Sequence, residues 1–223
     1  MTTYTITFAQ NYFKMIPPQL NNAFTVFKED IAPIYRKHEE TFDLESHHGR
    51  FHILRCLLLA DSLYCYYESN AITLYIEKSY YAIMYHDAMR GDNGIDEWEL
   101  DSAYCCYKYL INKGFEHHFS STVSNIILKA DETNLEEQIL YDVDVLDYNR
   151  FFYIPEERHL FKDYKLKFAG PNDITGCNDL EARNKMIQLA QDLVEFSETL
   201  AIETETEQLI KTLSEYYLKI KPW

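Results

Sequence analysis

Residues 51–67, FHILRCLLLADSLYCYY, decide the fold. Apolar side chains cover nearly every direction around a 3.6-residue period, and neither glycine nor proline interrupts the run. The stretch is too long for one strand and reads as a helix from Phe51 to Tyr67. A helix apolar all round must be covered by other helices, so the spacing predicts a buried central helix.

Working outward, helical periodicity recurs on both sides. Before it, Leu20, Ala23, Phe24, Phe27, Ile31, Ile34 and Tyr35 mark a helix over 19–42 that Pro33 kinks or restarts. After it, helices are expected over 71–88, from Glu97 to Asn112 with Gly114 as its cap, and over 118–129 and 135–149. A helix or helix pair follows over 179–219, with a break near the polar stretch around 204–206. RGDNGIDEWE (90–99) and 152–176 read as loops, and TTYTITF near the start as a short strand or an ordered arm. The expected architecture is all-α, a helical bundle over 1–170 with a C-terminal helical extension over 171–223 packing on it.

Composition agrees. The chain has 223 residues, 47% apolar and 26% charged, enough to bury a real core. Only 6 Gly and 6 Pro disfavour a many-turned all-β sandwich. A net charge of -15 repels phosphate backbones, so nucleic acid is not the expected partner. No signal-peptide pattern and no window of 18 apolar residues is visible, so no membrane span is expected. Five cysteines, Cys56, Cys65, Cys105, Cys106 and Cys177, include no CxxC pair. They suit a reducing, cytoplasmic setting rather than a disulfide framework.

Three polar groups carry candidate chemistry. HGRFHILR (48–55) places His48 and His52 four residues apart, on one face if both are helical, with Arg55 three residues on. His86-Asp87 ends an apolar helix, and such a pair can offer two ligands to one metal or phosphate. Asp142, Asp144 and Asp147 sit in an apolar helix, costly to bury without partners. Alone, each has an ordinary explanation: a satisfied histidine pair, a chance dipeptide, a solvated carboxylate.

Their order is more specific. A His opening a buried helix, a His-Asp ending a second and an Asp in a later one resemble the HD phosphohydrolase superfamily. HGRFHILR, YHDAMRGDNGIDEWELDSA (85–103) and DVDVLDYNR (142–150) together resemble the phosphodiesterase domain of the Legionella SidE effectors and their stand-alone relatives. The resemblance covers about residues 45–153. It implies an HD-like helical bundle and a phosphodiesterase that cleaves phosphodiester or pyrophosphate bonds of ADP-ribosyl or phosphoribosyl groups, carried in that family by ubiquitin. It implies His48 as nucleophile, Glu99 orienting it, and His52, His86 and Asp87 in the catalytic set. Arg55, Arg90 and Arg150 would bind phosphate oxygens. It also implies a cytoplasmic protein, or one delivered to a host cytosol as an effector.

One departure stands out. Where the family places a general-acid histidine, this chain has Tyr141, a much weaker acid at neutral pH. His117, His118 and His159 are the alternative proton donors. The chain is also shorter than the family's domains, so a ubiquitin-binding cap would be either missing or replaced by residues 152–223.

Three functions compete. The first is a metal-free SidE-type phosphodiesterase, in which no cofactor is needed and His52, His86 and Asp87 hydrogen-bond one another to position His48. The second is a metal-dependent phosphohydrolase on a small nucleotide, with His52, His86, Asp87 and Asp144 holding a divalent metal. The third is a binding module with a degenerate site.

Overall fold

The computed structural model describes residues 16–91, 98–131, 133–152, 166–168, 175–176 and 179–223. The expected N-terminal strand or arm, Glu97, His159 and Cys177 lie outside them. The described residues form helices and no strand.

Two prolines set the first elements. Pro18 opens α1 (Pro18–Val26), where a missing N–H costs no hydrogen bond. A π-helical turn over Phe27–Ile31 then widens the chain, and α2 (Ala32–Thr41) restarts with Pro33 in its first turn. The π turn accommodates the proline without the bond that its ring nitrogen cannot donate.

The central helix α3 spans Arg50–Ser69, and sixteen of its residues are buried. It packs against α4 (Ile76–Tyr85), α7 (Leu135–Asp147), α8 (Leu180–Ser197) and α9 (Thr206–Ile220). The helices α5 (Glu99–Asn112) and α6 (His117–Ile127) pack on each other and on α4. Gly114 ends α5 at φ +88°, the left-handed conformation that glycine adopts without strain. The helix expected over 71–88 is shorter than its apolar pattern: it starts at Ile76 and leaves His86 and Asp87 just past its end, in a turn.

One continuous apolar core joins the helices, from Leu20 of α1 to Tyr217 of α9. The break expected near 204–206 falls between α8 and α9. Inside the core, Asp61 of α3 accepts hydrogen bonds from Tyr217 at 2.7 Å and Tyr80 at 3.3 Å, tying three helices together. Burial pushes its carboxyl above the ordinary range. Asp142 accepts the backbone N–H groups of Lys167 and Phe168 at 2.6 and 2.8 Å, which fixes that strap of chain on α7. Cys56, Cys65, Cys105 and Cys106 are free thiols. Among the described residues, no helix is long and apolar enough to cross a membrane.

Candidate functional site

The loop before α3 aims the first histidine. Asp43 accepts the backbone N–H groups of His47 and His48, each at 2.9 Å, and shapes the turn. Gly49 is needed for close approach: a Cβ there would collide with Ser46 Oγ and lie 2.5 Å from Glu39 Oε1. That same Glu39 accepts the Arg50 backbone N–H at 2.7 Å and its Nε at 2.6 Å. Arg50 then donates to the carbonyls of Ile202 at 2.7 Å and Thr204 at 2.8 Å, pinning the α8–α9 turn to the start of α3.

From this anchored start, His52 points into a buried cluster between α3, the end of α4 and α7. Its Nδ1–H donates to Asp147 Oδ2 at 2.7 Å. His86 donates its Nδ1–H to the Ile83 carbonyl at 2.8 Å, and a carbonyl can only accept. A neutral ring bonded this way turns an Nε2 lone pair inward, and the two Nε2 atoms face each other at 3.2 Å. Asp87 Oδ2 lies 3.6 Å from His52 Nε2 and 3.5 Å from His86 Nε2. Asp144 Oδ1 lies 3.6 and 3.9 Å from the same two nitrogens. Three of these residues, His52, His86 and Asp87, are buried with their ligand atoms within 4.8 Å of one another, and Asp144 stands beside the two histidines.

The electrostatics hold that arrangement. Burial drives the His52 imidazole down to about 4, helped by the charge of Arg150. Burial alone would push Asp147 up, but Arg55, through its charge and hydrogen bonds, holds it well below the usual carboxylate range. Asp87 is likewise held low against its burial, by His86, His48 and His52 around it. Cys56 Sγ lies 3.5 Å from His52 Nδ1, and burial pushes its thiol up in the absence of a metal.

His48 stands at the rim of this cluster, its side chain 20% exposed. Its Nδ1 meets Asp87 Oδ2 at 3.1 Å, and its ring lies 6.0 Å from that of His52. The carboxylate that holds the His48 ring is thus Asp87, not Glu99. Glu99 lies in the first turn of α5, and its side chain makes no hydrogen bond or ion pair with another described residue. Its neighbour Trp98 reaches the site instead: the indole N–H donates to Asp87 Oδ1 at 2.9 Å. Arg90 stacks 3.6 Å over the Trp98 ring, with Nη1 3.6 Å from Asp87 Oδ1.

The other expected residues are placed as follows. Arg55 is buried and directed at Asp147 through Nε at 2.6 Å and Nη2 at 2.9 Å, and at Ser197 through Nη1 at 2.9 Å. Arg150 Nη1 approaches the same Asp147 at 3.3 Å. Tyr141 is half-buried, its ring 4.6 Å from Lys167 Nζ. His117 and His118 are exposed on the first turn of α6, His117 beside Ser121.

Two residues with clear roles here escape sequence reasoning. Asp147 was visible only as one of three carboxylates, yet it stands three residues from Asp144 and so shares its helix face. Trp98 sits in the quoted motif, where its acidic neighbour draws the attention. In comparisons with known proteins, the chain matches no family model, no curated protein and no solved structure.

Proposed function

We propose that this chain is a metal-dependent phosphohydrolase of the HD type, cleaving a phosphate ester or diester of a small nucleotide. One observation carries the reading. Two imidazole Nε2 atoms face each other at 3.2 Å, with two carboxylate oxygens beside them and each Nδ1 bonded to an acceptor elsewhere. With both imidazoles neutral, such a cluster repels itself unless a proton or a cation enters it. Its donor set, two nitrogens and two carboxylate oxygens from His52, His86, Asp87 and Asp144, suits a divalent transition metal. This weighs the cation above the simple hydrogen-bonded cluster that sequence alone favours.

A divalent cation held there by His52, His86, Asp87 and Asp144 would supply positive charge for the phosphoryl oxygens. The chain's own residues do the rest. Asp147 and the Ile83 carbonyl hold the two imidazoles in the tautomer that exposes Nε2. His48, its Nδ1 held by Asp87, presents Nε2 at the rim, where it can give or take a proton. Arg90, flat on Trp98 and 22% exposed, stands beside it as a guanidinium for phosphate oxygens.

A second reading rests on the His48–Asp87 pair itself. A neutral imidazole oriented by an ionised carboxylate is a competent nucleophile toward phosphorus. That supports the SidE-type phosphodiesterase acting on ADP-ribosyl or phosphoribosyl groups, with ubiquitin as a carrier and without metal. Hydrolysis of bis(p-nitrophenyl) phosphate and of ADP-ribosylated ubiquitin, after dialysis against a chelator and with manganese, zinc or magnesium restored, separates the two. Loss on chelation with recovery by one metal is expected. Full activity after chelation overturns the metal reading in favour of the second, and no turnover of either substrate under any condition leaves a binding module.

A further inference from the structure

Among the described residues, three that are not glycine adopt the left-handed conformation: Ser46 at φ +54°, Ala71 at φ +59° and Lys129 at φ +52°. Ala71 and Lys129 are exposed and sit where a helix stops. The N–H of Ile72 closes back on the Tyr67 carbonyl and that of Ala130 on the Asn125 carbonyl, an ordinary helix ending. Ser46 is different. It is buried, it ends no helix, and it stands two residues before His48. Glycine takes this conformation freely and serine does not, so contacts of the serine side chain must compensate. We infer that Ser46 is a positioning residue for His48: its hydroxyl locks the left-handed turn that sets where the imidazole leaves the loop. The inference rests on His48 being a working group of the site, in either reading of the chemistry.

The hydroxyl has two partners. Ser46 Oγ donates to Glu39 Oε1 at 2.5 Å and accepts the Phe51 backbone N–H at 3.3 Å. The second bond fills a gap at the start of α3. That helix begins on Gly49, which has no side chain to cap the first N–H groups. Glu39 takes the N–H of Arg50 and Ser46 takes that of Phe51, so the cap comes from outside the helix. The fit is reciprocal, because a Cβ on Gly49 would collide with Ser46 Oγ.

Only His47 and His48 lie between these two fixed points. The N–H of Ser46 donates to the Asp43 carbonyl at 2.8 Å, and those of His47 and His48 take one carboxylate oxygen of Asp43 each. A right-handed Ser46 would rotate the peptide groups that follow, and the two histidine N–H groups would lose that shared carboxylate. With the backbone fixed on both sides, the His48 ring reaches Asp87 Oδ2 from Nδ1, and the Phe151 ring bounds it at 5.9 Å.

The test reads the ring itself, so its outcome is separate from whether the protein turns over a phosphoester. Long-range proton–nitrogen-15 spectra of the labelled full chain, dialysed against a chelator at pH 8.5, report which nitrogen of each neutral imidazole carries the proton. In the parent protein His48 should carry it mainly on Nδ1, facing Asp87. Ser46→Ala keeps the backbone strain and removes the hydroxyl. It should lower the Nδ1-to-Nε2 proton ratio of His48 at least fivefold, while His52 and His86 stay as they are. Ser46→Gly, which adopts the turn without strain, should stay within twofold of the parent. Circular dichroism checks both folds, and if Ser46→Ala does not fold, Ser46→Gly decides by that twofold limit. A parent His48 protonated mainly on Nε2, an unchanged ratio in Ser46→Ala, an equal fall in both variants, or a matching change at His52 and His86 would overturn the proposal.

Discussion

Two buried carboxylates on the central helix's surroundings are solved in opposite ways. Asp61 is held by two tyrosine hydroxyls, and burial raises its carboxyl. Asp147 is held by two guanidiniums and an imidazole, and its carboxyl is pulled far down. Neutral donors tolerate a neutral acid, so Asp61 can serve as a helix tie in either protonation state. Charged donors demand the anion, and the anion in turn fixes a tautomer of His52. The difference separates a structural polar contact from one that prepares a site for chemistry.

The sharpest way to break this contrast is Asp147→Asn. It leaves Arg55, Arg150 and His52 around a neutral amide, and should destabilise the fold by about 3–5 kcal/mol in urea denaturation. Loss below about 1 kcal/mol would mean that the guanidiniums find other partners.

Next comes pH. In the unfolded chain His52 takes a proton below about 6.5, but in the fold only below about 4. Between those values the unfolded state holds more protons, so stability rises with pH through the window. The contribution is complete above pH 6.5 and is lost as pH falls toward 4, by about 3 kcal/mol. Urea midpoints of metal-stripped protein at pH 4.5, 5.5 and 7 measure it. A flat profile would show that His52 is charged in the fold.

A smaller effect is expected at Trp98. Trp98→Phe removes one hydrogen bond to Asp87 and keeps an aromatic face for Arg90. Turnover should fall about tenfold, in line with roughly 1.5 kcal/mol for a bond to a charged group, with an unchanged melting temperature. Glu99→Ala in the same assay should leave turnover unaltered, and a deeper loss there than in Trp98→Phe would restore Glu99 as the orienting group.

The smallest effect sharpens the other half of the contrast. Asp61→Asn keeps one acceptor for the tyrosines and adds no charge problem, so its cost at pH 7 should stay within about 1 kcal/mol. A cost matching that of Asp147→Asn would show that Asp61 is needed as an anion.

Much of this was legible in the residues. The helix over 51–67 followed from apolar residues on nearly every side and the lack of Gly or Pro, and it extends only a turn beyond that reading. His52, His86, Asp87 and Asp144, separated by up to 92 positions, meet as their order suggested. Partner choice was not legible. Nothing local says that Arg55 turns to Asp147 rather than outward, because that depends on how α3 and α7 are rotated against each other. Helix length was overread at 71–75, where apolar periodicity continues but the chain is not yet helical. Trp98 was hidden because a hydrogen bond from an indole leaves no pattern in the sequence.

The Arg50 anchor has a consequence for the order of folding. Its guanidinium closes on carbonyls 152 and 154 positions further along the chain. A nascent chain therefore exposes the two site histidines long before the acceptors that steady their helix exist. Until the turn around 202–204 arrives, the buried ion pair with Glu39 lacks its outer partners, and the loop carrying His48 is held by neighbouring residues only. Such long-range closure forms late, since the intervening chain must be ordered first. The start of the central helix is thus tied to the last helix pair only when nearly all of the other helices are in place.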